Sequence, residues 1–200
     1  MENTKERILL CALELFSKDG FEAVSVSDIA KQAGLTKGAL YRHYENKRDI
    51  FNSILLRMEQ NDAENAAVFD LPEQELEKDG EKYHCVSLSG LAEYTKAQFR
   101  YWAEDNFARR FRRMLTVEQY RSEEMKALFS QYLSAGPVGY ISDIFKSIGI
   151  ENAERKAAQF FAPMFLLLSV YDSAEDKKQV LELFDGILDE KQKELERDIS

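Results

Sequence analysis

Five side chains that donate hydrogen bonds lie within eleven residues of one another: Lys37, Tyr41, Arg42, His43 and Lys47. Lysine and arginine are cationic donors, and tyrosine and histidine can hydrogen-bond phosphate oxygens. Gly38 and Ala39 lie among them and are small enough for close backbone approach. A glycine inside a helix lowers the stability of that helix by roughly 1 kcal/mol relative to alanine. Gly38 is easier to understand if it lets the helix backbone approach a partner closely. These residues predict contact with the phosphates and base edges of a nucleic acid.

The flanking residues predict two short helices that would position these donors. Ser25 can cap a helix whose third residue is Asp28, and Val24 and Ile29 can pack as a hydrophobic staple. Gly34 can adopt the left-handed conformation that closes this helix. Thr36 then caps a second helix, which we expect to run to about Tyr44. Such a short glycine turn forces the sharp crossing of a helix-turn-helix.

The apolar pattern predicts which side of this segment is buried. The buried set is Ile29, Ala30, Ala33, Leu35, Leu40 and Tyr44. The donors and Gly38 would then face outward on the second helix. Asn46 reads as the cap of a further helix, and Lys47 lies in its first turn. Free backbone N–H groups and a cation could together hold one phosphate there.

The stretch GFEAVSVSDIAKQAGLTKGALYRHYENKRDIF resembles the DNA-binding domain of the TetR family of transcriptional regulators. The resemblance spans roughly residues 4–52 and follows the family pattern T-x-x-x-I-A-x-x-A-G-V-S-x-G-x-x-Y-x-H-F-x-x-K. The departures are mild: Ser25 replaces Thr, Leu35 replaces Val, Thr36 replaces Ser and Tyr44 replaces Phe. The resemblance implies phosphate contacts from Ser25, Thr36, Tyr41, His43 and Lys47, and base contacts from Lys37, Ala39 and Arg42.

The net charge of the whole chain argues against nucleic-acid binding, but the charge of its separate segments does not. The formal net charge is −9, whereas a basic footprint is expected of such a protein. Residues 1–50 carry eight basic and eight acidic side chains, residues 51–200 carry 19 and 28, and residues 21–48 carry five and three. The helix-turn-helix is therefore locally positive. Screening over about 8–10 Å leaves that local face in control.

Periodicity and the few prolines and glycines predict an all-α fold. The resemblance implies that this fold comprises an N-terminal three-helix bundle with the helix-turn-helix, followed by a larger helical effector-binding and dimerisation domain. We expect a DNA-binding domain over 1–47, with its motif at 25–44, and a second domain over 48–200. A fourth helix, about 47–61, would link them. Residues 70–82 predict a loop. The further helices are expected at 3–18, 87–104, 107–120, 122–134, 140–148, 151–171 and 175–197, with a break at Gly136, Pro137 and Gly139.

The last two predicted helices carry apolar stripes typical of an assembly surface. The predicted interface consists of Phe160, Phe161, Met164, Leu168, Tyr171, Val180, Phe184, Ile187 and Leu188. Leu166 and Leu167 lie partly outside the first stripe, so that helix must be covered on more than one side. The resemblance implies a homodimer through these two helices. A core helix within one chain is the alternative.

The middle helices carry an unusual number of aromatic residues. By the resemblance this region encloses a pocket for a small, largely apolar or aromatic effector, whereas the pattern alone favours ordinary core for most of these side chains. The predicted lining residues are Phe99, Trp102, Phe107, Phe111 and Phe129. A ligand that binds there must favour one separation of the two DNA-binding heads over another.

Other classes of protein find little support in the sequence. We find no glycine-rich phosphate loop after a strand and no nucleophile motif, and we expect no catalytic activity and no cofactor. His84 and Cys85 alone are weak grounds for a metal sensor. Cys11 and Cys85 lack CxxC spacing, and the longest apolar stretch is too short for a bilayer, so we expect a cytoplasmic chain with no membrane partner.

Two hypotheses of different class remain. The first is a transcriptional regulator that binds a double-stranded DNA operator as a homodimer and is released by a small effector, most simply a repressor. The second is a helical adaptor or ligand carrier that has kept the helix-turn-helix shape without binding DNA. The acidic charge favours the second, and Tyr41, His43 and Lys47 favour the first.

Overall fold

The structure is a computed structural model, which describes residues 4–68 and 87–198. Those residues form ten α-helices and no strand. The helices are α1 (Thr4–Asp19), α2 (Val26–Gln32), α3 (Lys37–Leu40), α4 (Lys47–Val68), α5 (Leu88–Glu104), α6 (Asn106–Glu118), α7 (Glu123–Leu133), α8 (Ala135–Ser147), α9 (Ala153–Ser173) and α10 (Lys177–Asp198). The predicted all-α class is confirmed.

Packing divides the chain into two units. Unit 1 takes Met1–Asp62 and Asn106–Phe129, and unit 2 takes Ala63–Asp105 and Ser130–Ser200. This division differs from the boundary predicted at residue 47. The difference arises because α6, distant in sequence, packs along α1. The first half of α4 also buries Ile50, Phe51 and Ile54 completely.

The end of α1 is fixed by a glycine in a left-handed conformation. Gly20 has φ +86° and donates its N–H to the Phe16 carbonyl at 3.1 Å, which closes the helix. A Cβ at this position would also overlap the side chains of Glu118, the last residue of α6, and Arg121, in the turn that follows it. Only glycine meets both demands, the positive φ and the close approach.

The predicted capping box at the start of α2 is confirmed. Ser25 Oγ accepts the Asp28 N–H at 3.2 Å, and Asp28 Oδ2 accepts the Ser25 N–H at 2.9 Å. The hydrogen bonds from the Ser25 side chain and backbone hold the pKa of Asp28 below its usual value. Gly34, with φ +66°, closes the helix as predicted. Val24 and Ile29 are both buried, as a hydrophobic staple requires.

The second helix of the motif is shorter than predicted. We expected it to reach about Tyr44, but α3 ends at Leu40 and residues 41–43 form turns. The N–H groups of Arg42 and His43 bond to carbonyls three residues back, so the helical winding tightens after Leu40. The burial of Tyr44, whose hydroxyl donates to the Lys5 carbonyl of α1 at 3.2 Å, holds the chain in this turn.

Two other expectations differ from the structure. α4 continues to Val68, beyond the predicted end at about residue 61. The predicted break at Gly136, Pro137 and Gly139 is wrong, since α8 begins at Ala135 and contains all three residues. Proline is tolerated in the first turn of a helix because its missing N–H would have no partner there. The loop predicted at 70–82, with His84 and Cys85, lies outside the described residues.

Unit 2 is organised around α9, which packs against α5, α8 and α10. The α5 and α10 helices run antiparallel, since Lys96 Nζ lies 2.5 Å from Asp189 Oδ1 while Arg100 pairs with Asp185. Next to the Arg100–Asp185 pair, the rings of Phe99 and Phe184 stack with centroids 4.1 Å apart. Charge and aromatic packing together fix the register of the two helices.

Tyr44→Phe tests the contact that joins α1 to the end of the motif. Loss of the hydrogen bond to Lys5 should lower the free energy of unfolding at pH 7 by about 1 kcal/mol. Burial raises the pKa of Tyr44 from 10.0 to about 12, so its contribution to stability is complete below pH 10 and lost as the pH rises to about 12. Urea unfolding should show a steeper alkaline loss for the wild type than for Tyr44→Phe. Equal alkaline slopes would contradict this role.

Ser25→Ala tests the cap of α2. Loss of an N-cap hydroxyl should lower the free energy of unfolding by about 1 kcal/mol. Because the pKa of Asp28 is lowered in the fold, the capping box stabilises above the usual aspartate pKa and its contribution is lost as the pH falls through the lowered value. Ser25→Ala should therefore lose less stability in acid than the wild type. Ser27→Ala, an exposed serine within α2, is the matched control and should change little. Equal stability of the two variants would refute the cap.

Candidate nucleic-acid interface

The exposed residues of α3 and the turn after it form one continuous polar surface. We call this the reading surface; it comprises Thr36, Lys37, Gly38, Tyr41, Arg42 and His43, all exposed. Leu40 and Tyr44 point away from it and are buried, and Leu35 is half-buried. The predicted buried set, which also contains Ile29, Ala30 and Ala33, is otherwise fully buried. The inward and outward sides of the motif therefore lie where the pattern predicted.

The capping hydroxyls of the two motif helices are used in different ways. The Ser25 hydroxyl donates to Asp28 Oδ2 at 2.6 Å while its oxygen accepts the Asp28 N–H. Thr36 Oγ1 accepts the Ala39 N–H at 3.1 Å, which leaves the hydroxyl proton able to donate to an outside acceptor. Thr36 is thus ready to bind a phosphate oxygen, whereas Ser25 would have to exchange a bond inside the box.

Within the reading surface, a cation and an aromatic ring lie side by side. Lys37 Nζ is 5.9 Å from the centroid of the Tyr41 ring, and 46% of Tyr41 is exposed. A Cβ placed on Gly38 would meet nothing within 4 Å, so this part of the helix is open to a partner. Ala39 is half-buried beside it. The Lys37 ammonium, the Tyr41 phenol and the backbone at Gly38 are therefore all accessible to a partner.

Lys47 lies in a different setting from the other predicted contacts. Its ammonium donates to the Phe21 carbonyl at 2.6 Å and to the Glu22 carbonyl at 3.3 Å. It also lies 4.3 Å from the centroid of the Phe21 ring. The predicted cap of α4 is confirmed, since Asn46 Oδ1 accepts the Asp49 N–H at 2.9 Å. The structure therefore joins Lys47 to the chain segment before α2.

Two carboxylates from distant helices also contact the motif, and local sequence reasoning missed both. Glu118 Oε1, at the end of α6, accepts the Phe21 N–H at 3.0 Å. Glu124, in α7, pairs with Arg48 at 2.8 Å. Phe21 and Glu118 are 97 residues apart, and no short-range pattern could have paired them.

These contacts change the charge that the motif presents. Of the five basic residues between 21 and 48, Lys47 bonds to carbonyls and Arg48 pairs with Glu124. Lys31, Lys37 and Arg42 are exposed. Arg48 is exposed as well, but Glu124 offsets its charge, so the positive charge directed outward comes mainly from the other three side chains.

The five predicted effector-pocket residues are all buried, but they belong to two different units. Phe99 and Trp102 lie in unit 2, and Phe107, Phe111 and Phe129 lie in unit 1. Phe99 stacks on Phe184 and meets the Tyr171 ring edge-on, with centroids 6.4 Å apart. In unit 1 the Arg57 guanidinium lies 4.5 Å from the centroid of the Phe107 ring. Both phenylalanines thus have contacts expected of core residues.

Most of the predicted dimer-interface residues are buried within the chain itself. Those buried are Phe160, Phe161, Met164, Leu168, Tyr171, Val180, Phe184 and Leu188, whereas Ile187 is half-buried. The large apolar side chains that α9 and α10 leave exposed are Phe165, Leu166, Val170 and Leu183. The exposed apolar face therefore lies beside the predicted stripe.

The described ranges contain neither a membrane-spanning helix nor a metal-binding cluster. No helix among these residues is long and apolar enough to cross a bilayer. No cluster of three or more histidine, cysteine or acidic side chains in the same residues has the arrangement of a metal site.

Comparison with known proteins places the N-terminal segment in a family. Residues 8–54 match the family model described as bacterial regulatory proteins, tetR family. Over 60 residues, 30% of this chain, the sequence is 43% identical to the HTH-type transcriptional regulator AcrR of Shigella flexneri. Over 72 residues it is 43% identical to the HTH-type transcriptional repressor BepR of Brucella suis. The matched segments make up only 28% and 34% of those two regulators.

The similarity of fold extends over nearly the whole chain. The TetR family transcriptional regulator PfmR of Thermus thermophilus superimposes with a TM-score of 0.61 at 22% identity, over 96% of this chain and 97% of that one. At this identity the match shows the fold alone. The N-terminal domain of this chain is therefore a TetR-family domain, and the chain as a whole has the fold of TetR-family transcriptional regulators.

Proposed function

We propose that this protein is a DNA-binding transcriptional regulator whose α3 lies in the major groove of its operator. The observation that carries the proposal is the reading surface, a continuous exposed strip rich in hydrogen-bond donors on a capped helix-turn-helix whose opposite side is buried except for the half-buried Leu35. The major groove admits an α-helix, and its base edges present distinct hydrogen-bond patterns. The matched family supports the same function for this segment.

The side chains of the motif divide by the contacts their chemistry allows. Thr36, Tyr41, His43 and, after exchange of its cap bond, Ser25 would donate to phosphate oxygens. Lys37, Ala39 and Arg42 would face base edges, with Arg42 suited to a bidentate bond to guanine. Gly38 would allow the backbone to approach the groove closely. Lys47, the remaining predicted phosphate contact, is considered separately below.

We propose that the functional molecule is a homodimer formed through α9 and α10. Phe165, Leu166 and Val170 on α9 and Leu183 on α10 give these helices an exposed apolar face. A second copy covers this face with the same residues, as a two-fold axis requires. Two heads would then reach half-sites about 34–36 Å apart, which multiplies the weak affinity of one small head.

Repression and release by an effector complete the proposed function. The relative from Brucella suis is named a repressor, and repression follows simply from occupying an operator. The effector would be a small, largely apolar molecule that uses the aromatic residues of α5, Phe99 and Trp102. It would act by stabilising one separation of the heads over another. Binding to chromosomal DNA would place the protein in the cytoplasm.

Arg42→Ala tests the reading surface directly. Operators are first selected by the wild-type protein from a random duplex library, and affinities are then measured at two salt concentrations. Loss of a bidentate base contact should weaken binding by about 1–3 kcal/mol and relax the preference at one base position. Lys178→Ala removes one positive charge from an exposed site on α10 and is the matched control.

The result that contradicts the proposal is equally specific. If the wild type selects no sequence above background at physiological salt, the protein does not read DNA. A helical adaptor or ligand carrier would then be the better description. If Arg42→Ala binds the selected operator as Lys178→Ala does, base reading lies elsewhere.

Leu166→Asp tests the proposed dimer surface. Leu166 is 63% exposed, so a carboxylate there should be tolerated in the folded chain but should disfavour an apolar interface. Sedimentation should show a shift toward monomer, with loss of operator affinity. Leu56→Asp, at a leucine 55% exposed on α4, is the control and should stay dimeric. A Leu166→Asp protein that remains dimeric would exclude this face.

A further inference from the structure

The peptide groups at Phe21 are held from both sides by charged side chains. The N–H of Phe21 donates to Glu118 Oε1 at 3.0 Å, and its carbonyl accepts from Lys47 Nζ at 2.6 Å. Glu118 is only 2% exposed, and Phe21 is 4% exposed. Hydrogen bonds to charged partners are roughly twice as strong as neutral ones. We call these two bonds the Phe21 clamp.

The clamp joins the two ends of the helix-turn-helix. Phe21 lies in the turn that leads into α2, whereas Lys47 is the first residue of α4, after the turn that follows α3. The bond between them therefore closes a 26-residue separation. Glu118 is the last residue of α6, which packs along α1. The start of the motif is thus tied to its end and to the scaffold beneath it.

The geometry of Lys47 suits holding the motif better than holding a phosphate. An ammonium has three protons, and two of those on Lys47 are directed to the Phe21 and Glu22 carbonyls. Its charge also lies 4.3 Å from the centroid of the Phe21 ring, and the side chain is half-buried. Lys37, in contrast, is exposed on the reading surface.

The setting of Glu118 points the same way. Its Oε1 accepts from the Arg121 guanidinium at 2.8 Å as well as from the Phe21 N–H, so the buried carboxylate has a charged partner and a backbone partner. Gly20, next to Phe21, has no side chain, which lets Glu118 and Arg121 approach the backbone. Loss of the carboxylate would leave the Phe21 N–H buried without this acceptor.

We propose that Lys47 and Glu118 are positioning residues, which hold α2 and α3 in the geometry that fits DNA without contacting DNA themselves. This inference rests on the proposed function. It reassigns Lys47 from the phosphate contact implied by family resemblance. It also gives Glu118, at the end of α6, a role in DNA binding. Local sequence patterns do not reveal this role, because Glu118 is far from the motif in sequence.

The dependence of affinity on salt separates positioning from phosphate contact. Each phosphate contact by a cation contributes about 0.9 to the slope of log K against log salt on duplex DNA. We therefore measure Lys47→Gln and Lys37→Gln, which each remove one positive charge, on the operator selected by the wild type. Lys47→Gln should lose about tenfold in affinity, close to 1.4 kcal/mol, and keep the wild-type slope. Lys37→Gln should lower the slope, because an ammonium group in the groove displaces counterions from the neighbouring phosphates even where it faces a base edge.

Amide hydrogen exchange supplies the second readout. In Lys47→Gln and Glu118→Ala, exchange should speed up at Phe21 and through α2, while amides of α1 and α6 such as Leu13 and Phe111 stay protected. Glu118→Ala should also lose about tenfold in operator affinity, close to 1.4 kcal/mol. If Glu118→Ala does not fold, Lys47→Gln decides alone, because its salt slope does not depend on the stability of α6.

Two results would overturn the inference. One is a fall in salt slope for Lys47→Gln as large as that for Lys37→Gln, which would make Lys47 a phosphate contact. The other is a folded Glu118→Ala protein that binds the operator as the wild type does. Failure of the wild type to select any operator is a different outcome, since it refutes the proposed function itself.

Discussion

Helices as short as α2 and α3 cannot persist in water by their own hydrogen bonds. They have seven and four residues, whereas isolated helices shorter than about 12–15 residues are marginal even with favourable sequences. Their geometry must come from capping and from the surface on which they pack. Ile29 and Leu40 supply that packing from inside, and the Phe21 clamp fastens the motif at its edge. The reading surface depends on this support, because a small shift of α3 would misplace every donor at once.

The same support reduces the positive charge that the motif presents to the outside. Lys47 and Arg48 are used inside unit 1, one on backbone carbonyls and the other on Glu124. Of the other three basic residues between 21 and 48, Lys37 and Arg42 lie on the reading surface and Lys31 lies on α2, and the excess of acidic residues lies after residue 50. On the proposed function, local charge would therefore guide the approach to DNA, and the affinity of a single head would be modest. The proposed dimer would compensate for this by binding two half-sites together.

Much of this architecture could be predicted from local patterns. Caps at Ser25, Thr36 and Asn46 and the stop at Gly34 are chemical signals spread over a few residues, and all four lie where they were predicted. The end of α3 could not be predicted, because the burial of Tyr44 against α1 decides it. The contact of Glu118 with Phe21 joins residues far apart in sequence. The apolar stripes of α9 and α10 were predicted from periodicity, and the resemblance implied that they form a dimer. Periodicity identifies an apolar face but cannot say whether its own chain already covers it.

Protection of guanine N7 from methylation tests most directly whether α3 reads DNA in the major groove. N7 lies on the major-groove edge, so a recognition helix and its arginine should shield it. On an operator selected by the wild-type protein, we expect two clusters of protected guanines, separated by about 10 base pairs or a multiple of that spacing. Binding that leaves every N7 in the site reactive, or that protects one unpaired cluster, would contradict a two-headed major-groove reader.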